Sequence, residues 1–412
     1  MAGKDREIRD KPLHLLLVSN TAPARFVQGS DRDWVNLLNA LGPEHCRVTW
    51  VGNSGTQELQ KYVDERVLVR TIDLQHPCFY ELVPDNANTR RSKWHWTKIL
   101  TASSLNLGIS LFQLRRALGR DPVDLVITNT AVVLLGAVFA RLRRLPHVWN
   151  IKEYLDPRIA ACQKFATLIT RFSSAVVVPS RIIGEAFNSR LHVLPDGGDI
   201  EGIESSVKTG REDVLRGLGL PLSLPMVAQV GAISQRKGQH ITAEAFVKLA
   251  LRSPQPSFSL VFFGSGSPQE MERLKFVIAK APEQWRNVVR FAVFEEGDLS
   301  ALAAADIVVQ PSTFRDAFPN AVREAMTLGK PVIASDLGGM PDMIVDGESG
   351  LLIKPGDAQA LASSLENLLT LPDLQQRLGT NAELFARKNF DIRVQKLAFI
   401  DLFHQITQKP LA

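Results

Sequence analysis

The chain has 412 residues, room for two or three domains at the usual 100 to 200 residues each. Apolar residues make up 45 % of it and charged residues 22 %, which excludes a disordered, collagen-like or disulfide-stapled chain. The formal net charge is +5 and the only cysteines are Cys46, Cys78 and Cys162. An odd number without Cys-x-x-Cys spacing argues against a disulfide framework or a zinc-thiolate site, and for a reducing, cytoplasmic location.

In chain order, short apolar runs recur as LHLLLV near 15, RVTWV near 48, DLVIT near 126, HVWNI near 149, AVVVP near 177 and HVLP near 193. They have the length and continuity of buried parallel strands. The N-terminal run is too short for a signal peptide, and no stretch approaches the roughly 18 apolar residues of a membrane span. Between the runs lie segments of helical spacing, among them WVNLLNAL, SLFQLRRAL, AVVLLGAVFARL and KFATLITRF. Strand and helix in alternation predict a parallel sheet covered by helices. Asp31, before WVNLLNAL, is read as that helix's N-cap.

The first 200 residues hold 26 Lys and Arg against 19 Asp and Glu, and the remainder 22 against 24. The excess peaks at 86–120, where Arg90, Arg91, Lys93, Lys98, Arg115, Arg116 and Arg120 occur with no acid, beside Trp94, Trp96 and Phe112. Such a window suits an anionic membrane leaflet, an acidic polysaccharide or a prenyl diphosphate. Arg90, Arg91, Lys93 and Trp94 are therefore candidate acceptor or membrane contacts. No nucleic-acid recognition motif accompanies the charge.

After the polar stretch GIESSVKTGRED the pattern restarts with PMVAQVGA, FSLVFFG, VVRFAV, DIVVQ, PVIAS and GLLI. A second α/β domain follows, giving expected domains at 1–203 and 204–390. Residues 391–412 should form a terminal helix packing back on the first. In doubly wound sheets ligands sit beyond the carboxyl ends of the strands, so the loops there should carry the chemistry.

The densest such loop is PSTFRDAFPNAVREAMTLGKPVIASDLGGMPDMIVDGESGLLIKPGD, residues 311–357. The strand DIVVQ ends at Pro311, a loop carries Asp316, and Pro319 suits the first turn of a helix that contains Glu324. Two carboxylates and the free amides of a helix start can then meet one ligand.

This segment resembles the signature of family-4 retaining glycosyltransferases of the GT-B fold, in which two acids eight positions apart precede Ala-Met. Asp316 stands here where the familiar form has Glu, and Glu324 is the second acid. The resemblance implies two facing Rossmann-like domains with an interdomain cleft, the second binding a nucleotide sugar and the first an acceptor. It gives Asp316 the donor sugar hydroxyls and Glu324 the ribose, and adds Phe318, Asn320 and Ala321 to the donor contacts. VAQVGAISQRKGQH, residues 227–240, resembles the family's phosphate loop. Gly231 is kept, Ala232 replaces the usual Arg, and Lys237, with Arg236 beside it, is the expected cation on the leaving diphosphate.

The turn at Gly264 is either a nucleotide contact or simply a tight turn. Gly29 is what remains of the glycine-rich turn that family members place against the donor phosphates. Asn150 stands at the register of a histidine beside the donor sugar; it can hydrogen-bond but not shuttle a proton. Lys152 and Glu153 follow as acceptor contacts or as a surface ion pair, and His147 reads as structural. The implied activity is sugar transfer from a nucleoside diphosphate sugar to a glycan, lipid-linked or small-molecule acceptor, with no metal or other cofactor. Asn150, Ala232 and Asp316 depart from the family pattern, which keeps a noncatalytic sugar- or partner-binding protein open as an alternative. A sugar-nucleotide epimerase sharing the fold is another.

Overall fold

The computed structural model describes residues 12–20, 29–78, 93–295 and 297–407, with backbone alone for 29–30 and 93–104. The chain forms two compact units, residues 1–197 with 392–412, and residues 198–391.

In the first unit, seven strands form one parallel sheet in the order β3-β2-β1-β4-β5-β6-β7: β1 Leu13–Val18, β2 Cys46–Gly52, β3 Val69–Asp73, β4 Leu125–Asn129, β5 His147–Asn150, β6 Ala175–Val178 and β7 Leu191–Val193. Most of β1, β2, β4, β5 and β6 is buried, as expected for strands covered on both faces. β3 escaped the sequence reading because VRTID at the sheet edge is only partly buried and lacks a continuous apolar run.

One sheet face packs on the helix Gly29–Leu41 and the terminal helix Ile392–Thr407, whose Ile392, Phe399, Leu402 and Phe403 are buried with Leu15, Leu17 and Trp34. The Trp34 and Phe399 rings meet edge to face at 5.7 Å. The other face packs on the helices Lys93–Leu118 and Leu135–Arg143. The helix Gly29–Leu41 begins upstream of the expected point, so Asp31 is not an N-cap. It lies in the first turn, where a carboxylate complements the helix dipole.

The second unit has a six-stranded parallel sheet in the order β10-β9-β8-β11-β12-β13, made of β8 Met226–Val230, β9 Ser259–Phe263, β10 Val289–Ala292, β11 Ile307–Gln310, β12 Val332–Ser335 and β13 Leu351–Ile353. It begins at Gly198, earlier than expected. The Gly198 N–H bonds Phe390 O at 2.8 Å, and the helix Ile200–Ser205 packs on the helix Asn320–Thr327, which ties 198–205 to this unit. Its core includes the mutually edge-on rings of Phe246, Phe258 and Trp285. Among the described residues no helix is long and apolar enough to cross a membrane.

Candidate active site

In each sheet the strand order reverses direction beside the first strand of the unit. In such sheets a ligand crevice is expected at this switch point, here the carboxyl ends of β1 and β4 in one unit and of β8 and β11 in the other. In the second unit the loop leaving β8 carries Gly231 to Lys237, and the loop leaving β11 carries Pro311 to Asp316, so both flank that switch point.

The two loops are stitched together. Thr313 N donates to Arg236 O at 3.0 Å, and Thr313 Oγ1 donates to Gln235 O at 2.8 Å. The Arg236 guanidinium lies 3.7 Å from the Phe314 ring centre, a cation–π contact. Gly238, at φ 75°, sits where a Cβ would fall 1.9 Å from Pro311 O, so only glycine permits this approach. The result is an ion pair, with Lys237 Nζ 2.8 Å from Asp316 Oδ2 and both side chains partly exposed. Behind it, Gln229 Nε2 donates to Lys237 O at 2.8 Å and Thr242 Oγ1 donates to Gln229 Oε1 at 2.7 Å. Asp316 is held from the other side, since its O accepts from Gly339 N at 2.7 Å and Ser312 Oγ lies 3.4 Å from its carboxylate. Gln229, Thr242 and Ser312 were not singled out in the sequence, where they look like ordinary polar residues near strands.

The helix Asn320–Thr327 begins just after this loop, with Pro319 as its N-cap residue rather than in its first turn. Glu324 is buried at 7 % exposure within it. Among the described residues, Asn320 Oδ1 is buried without a hydrogen-bond partner. Ala321 is partly buried against the core, so its contribution at the helix start is its backbone amide. Phe318 is instead a core residue, 7 % exposed and edge-on to Phe390 at 5.1 Å. At Gly264, φ is 152° and a Cβ would lie 2.1 Å from Gly231 O. That glycine lets the loops after β8 and β9 touch.

In the first unit, Asn150 ends β5 and its amide donates to Asn129 Oδ1 at 2.9 Å, at 6 % exposure. Lys152 and Glu153 do not form a surface ion pair with each other. Lys152 is mostly buried and pairs with Asp196 and, at 3.3 Å, with Asp33. Burial works against its charge, but the two carboxylates outweigh burial and hold its ammonium above the usual lysine range. Glu153 accepts from Thr130 Oγ1 and, at 2.8 Å, from Ala131 N. Thr130 has φ 87°, a conformation that β-branched residues rarely adopt. Glu153 therefore clamps a strained turn at the end of β4. Glu153→Ala should destabilise the protein by about 1–3 kcal/mol, with Thr130→Gly in the same chain restoring part of the loss in urea denaturation. Gly29 is the first residue of its helix. Arg90 and Arg91 lie outside the described residues, as do the side chains of Lys93 and Trp94.

His147 is structural. Its Nε2 accepts from Thr128 Oγ1 at 2.8 Å and its Nδ1 donates to Phe172 O at 3.1 Å, which is the pattern of a neutral ring. Burial pushes its pKa from 6.5 to about 4. Between these values the unfolded chain takes up a proton that the folded ring refuses. Stability should therefore fall as pH drops through that window, by on the order of 3 kcal/mol at most, and His147→Gln should flatten the decline in pH-dependent urea melts.

Residues 211–385 match the family described as glycosyl transferases group 1. Over 230 residues the chain is 29 % identical to a D-inositol 3-phosphate glycosyltransferase of Corynebacterium urealyticum, covering 55 % of this chain and 54 % of that protein. Over 196 residues it is 30 % identical to the enzyme of the same name from Corynebacterium aurimucosum, covering 45 % and 44 %. The chain thus spans about half the length of the curated relatives it matches. Among solved structures, Anabaena Alr3699/HepE in complex with UDP superposes with a TM-score of 0.74 at 19 % identity, over 95 % of this chain and all of that one. A glycosyltransferase from Rickettsia africae gives 0.76 at 17 %, over 97 % and 99 %. Residues 211–385 belong to the glycosyl transferases group 1 family, in a chain whose two parallel sheets have the GT-B fold.

Proposed function

We propose that this protein is a retaining glycosyltransferase that moves a sugar from a nucleoside diphosphate sugar to a glycan, lipid-linked or small-molecule acceptor in polysaccharide or glycoconjugate biosynthesis. It works in the cytoplasm, at the face of a membrane when its acceptor is lipid-linked. The observation that carries this reading is the Lys237 to Asp316 pair at 2.8 Å, at the switch point of the second sheet and just before the start of the helix bearing Glu324. Lys237 and Arg236, with the first amides of that helix, supply positive charge where a diphosphate leaves. Asp316 takes donor sugar hydroxyls and Glu324 the ribose. Asn150 orients hydroxyls and cannot act as a base, so the acceptor proton departs with the leaving phosphate oxygen.

UDP-glucose, with which the Anabaena protein was also crystallised, is the first donor to try. The test follows nucleoside diphosphate release from a panel of nucleotide sugars in the presence of EDTA. Release from at least one of them, unaltered by EDTA, is the expected outcome, because the positive charge comes from the protein. Dependence on added Mg²⁺ or Mn²⁺ would contradict the metal-free reading, and no release from any donor would contradict the transferase reading.

A further inference from the structure

Over residues 105–118 the helix Lys93–Leu118 has two apolar faces where one would suffice. Leu107, Leu111, Leu114 and Leu118 pack inward against Leu16, Val18, Val126 and Phe139. On the opposite side Leu105, Ile109 and Phe112 are 69 %, 50 % and 68 % exposed. At about 100° per residue these three and Arg116 fall within one stripe roughly 60° wide. The neighbouring helix Leu135–Arg143 ends with Leu142 at 68 % exposure, among Arg141, Arg143 and Arg144.

Both helices lead into adjacent parallel strands, β4 and β5, so their arginine-bearing C-terminal ends lie at the amino end of those strands. No Asp or Glu occurs in 105–120 or 135–144. The nearest acids in sequence are engaged elsewhere, Asp121 with Arg47 at 2.6 Å and Asp124 with the His14 amide at 2.9 Å. An exposed apolar stripe whose only charged residues within 105–120 and 135–144 are cations suits a partner better than water.

We infer that the outer face of residues 105–118, with the end of Leu135–Arg143, docks on an anionic lipid bilayer. Charge decides between occupants. A second copy of this chain would bring Arg116 and its neighbours against their own kind, whereas an anionic leaflet neutralises them while the leucines and Phe112 enter the acyl boundary. Stable attachment of a peripheral protein takes two weak signals together, and this face carries both. The inference rests on the proposed membrane location but not on the transfer chemistry.

The test is flotation of the full chain with phosphatidylcholine vesicles, with and without phosphatidylglycerol. Binding should require phosphatidylglycerol and weaken with salt, because the charges are exposed. Two variants, Leu105→Ser/Ile109→Ser/Phe112→Ser and Arg116→Glu/Arg143→Glu/Arg144→Glu, alter only exposed positions and should remain folded by circular dichroism. Each should lower the bound fraction about tenfold or more, while UDP affinity measured by calorimetry stays the same. No binding of the unaltered protein at low salt would overturn the inference. So would unchanged binding by both variants, or a lipid-free dimer that the triple-serine variant dissociates. Loss of UDP binding in the unaltered protein would count against the transferase reading alone.

Discussion

Lys237→Ala is expected to lower kcat by about a hundredfold or more while the fold persists. Among the described residues the ammonium pairs with Asp316, and in the proposed reaction its value rises as the departing diphosphate gains charge. Its removal therefore acts mainly on the transition state and on kcat rather than KM. The loss of a single preorganised donor in a comparable role costs roughly 3 kcal/mol. Folding should be spared, because what the loop uses structurally is the Lys237 carbonyl, bonded to Gln229, which alanine keeps. Lys237→Arg should recover part of the rate, since charge survives with altered reach. Arg236→Ala should cost less, because that guanidinium is already committed to the face of Phe314. Steady-state rates with the best donor check all three, and normal turnover in a folded Lys237→Ala protein would remove the lysine from the mechanism.

The two acids should separate by ligand. Glu324→Gln should weaken binding of the bare nucleoside diphosphate about tenfold or more, the cost of trading a charged acceptor for a neutral one in a buried place. Asp316→Asn should leave that affinity intact or raise it, because it releases Lys237 from its ion pair to meet the phosphates. Its penalty should appear with the sugar attached, as a loss of the extra affinity that the intact donor has over the diphosphate. Calorimetry with diphosphate and intact donor on both variants decides the matter. Equal weakening of bare diphosphate by both changes would contradict the division of roles.

Much of this was legible because it is local in sequence. The β11 loop, Asp316 and the helix with Glu324 lie within one short segment, so spacing alone places them together. The six strands of the second sheet are legible as apolar runs, four of them, β8, β9, β11 and β12, being buried along their whole length. What stayed hidden depends on distance along the chain or on exposure. Lys152 meets Asp33 and Asp196, residues 119 and 44 positions away, so nothing beside it in the sequence predicts a buried triad.

Glu153 reads in sequence as an acceptor contact or as a partner for its neighbour, but its carboxylate serves the turn at Thr130, whose positive φ no composition rule foretells. Phe318 sat inside the motif and was read with it, yet its ring completes the core against Phe390. The edge strand β3 was missed because half-buried VRTID carries no continuous signal. The second apolar face of Lys93–Leu118 was masked by its first, since leucines on opposite sides of one helix blur the periodicity that a sequence reading relies on.

Binding of a nucleotide sugar by the Lys237 to Glu324 region should appear in thermal unfolding of the whole chain with a panel of nucleotide sugars. A ligand held only by the folded state, at about a hundred times its Kd, adds roughly 2.7 kcal/mol, which should raise the midpoint by about 5 °C or more. At least one nucleotide sugar should produce that shift, and the shift should shrink in Glu324→Gln. If no nucleotide or nucleotide sugar moves the midpoint at millimolar concentration, or if Glu324→Gln responds like the unaltered protein, this region is not a nucleotide-sugar site held by Glu324.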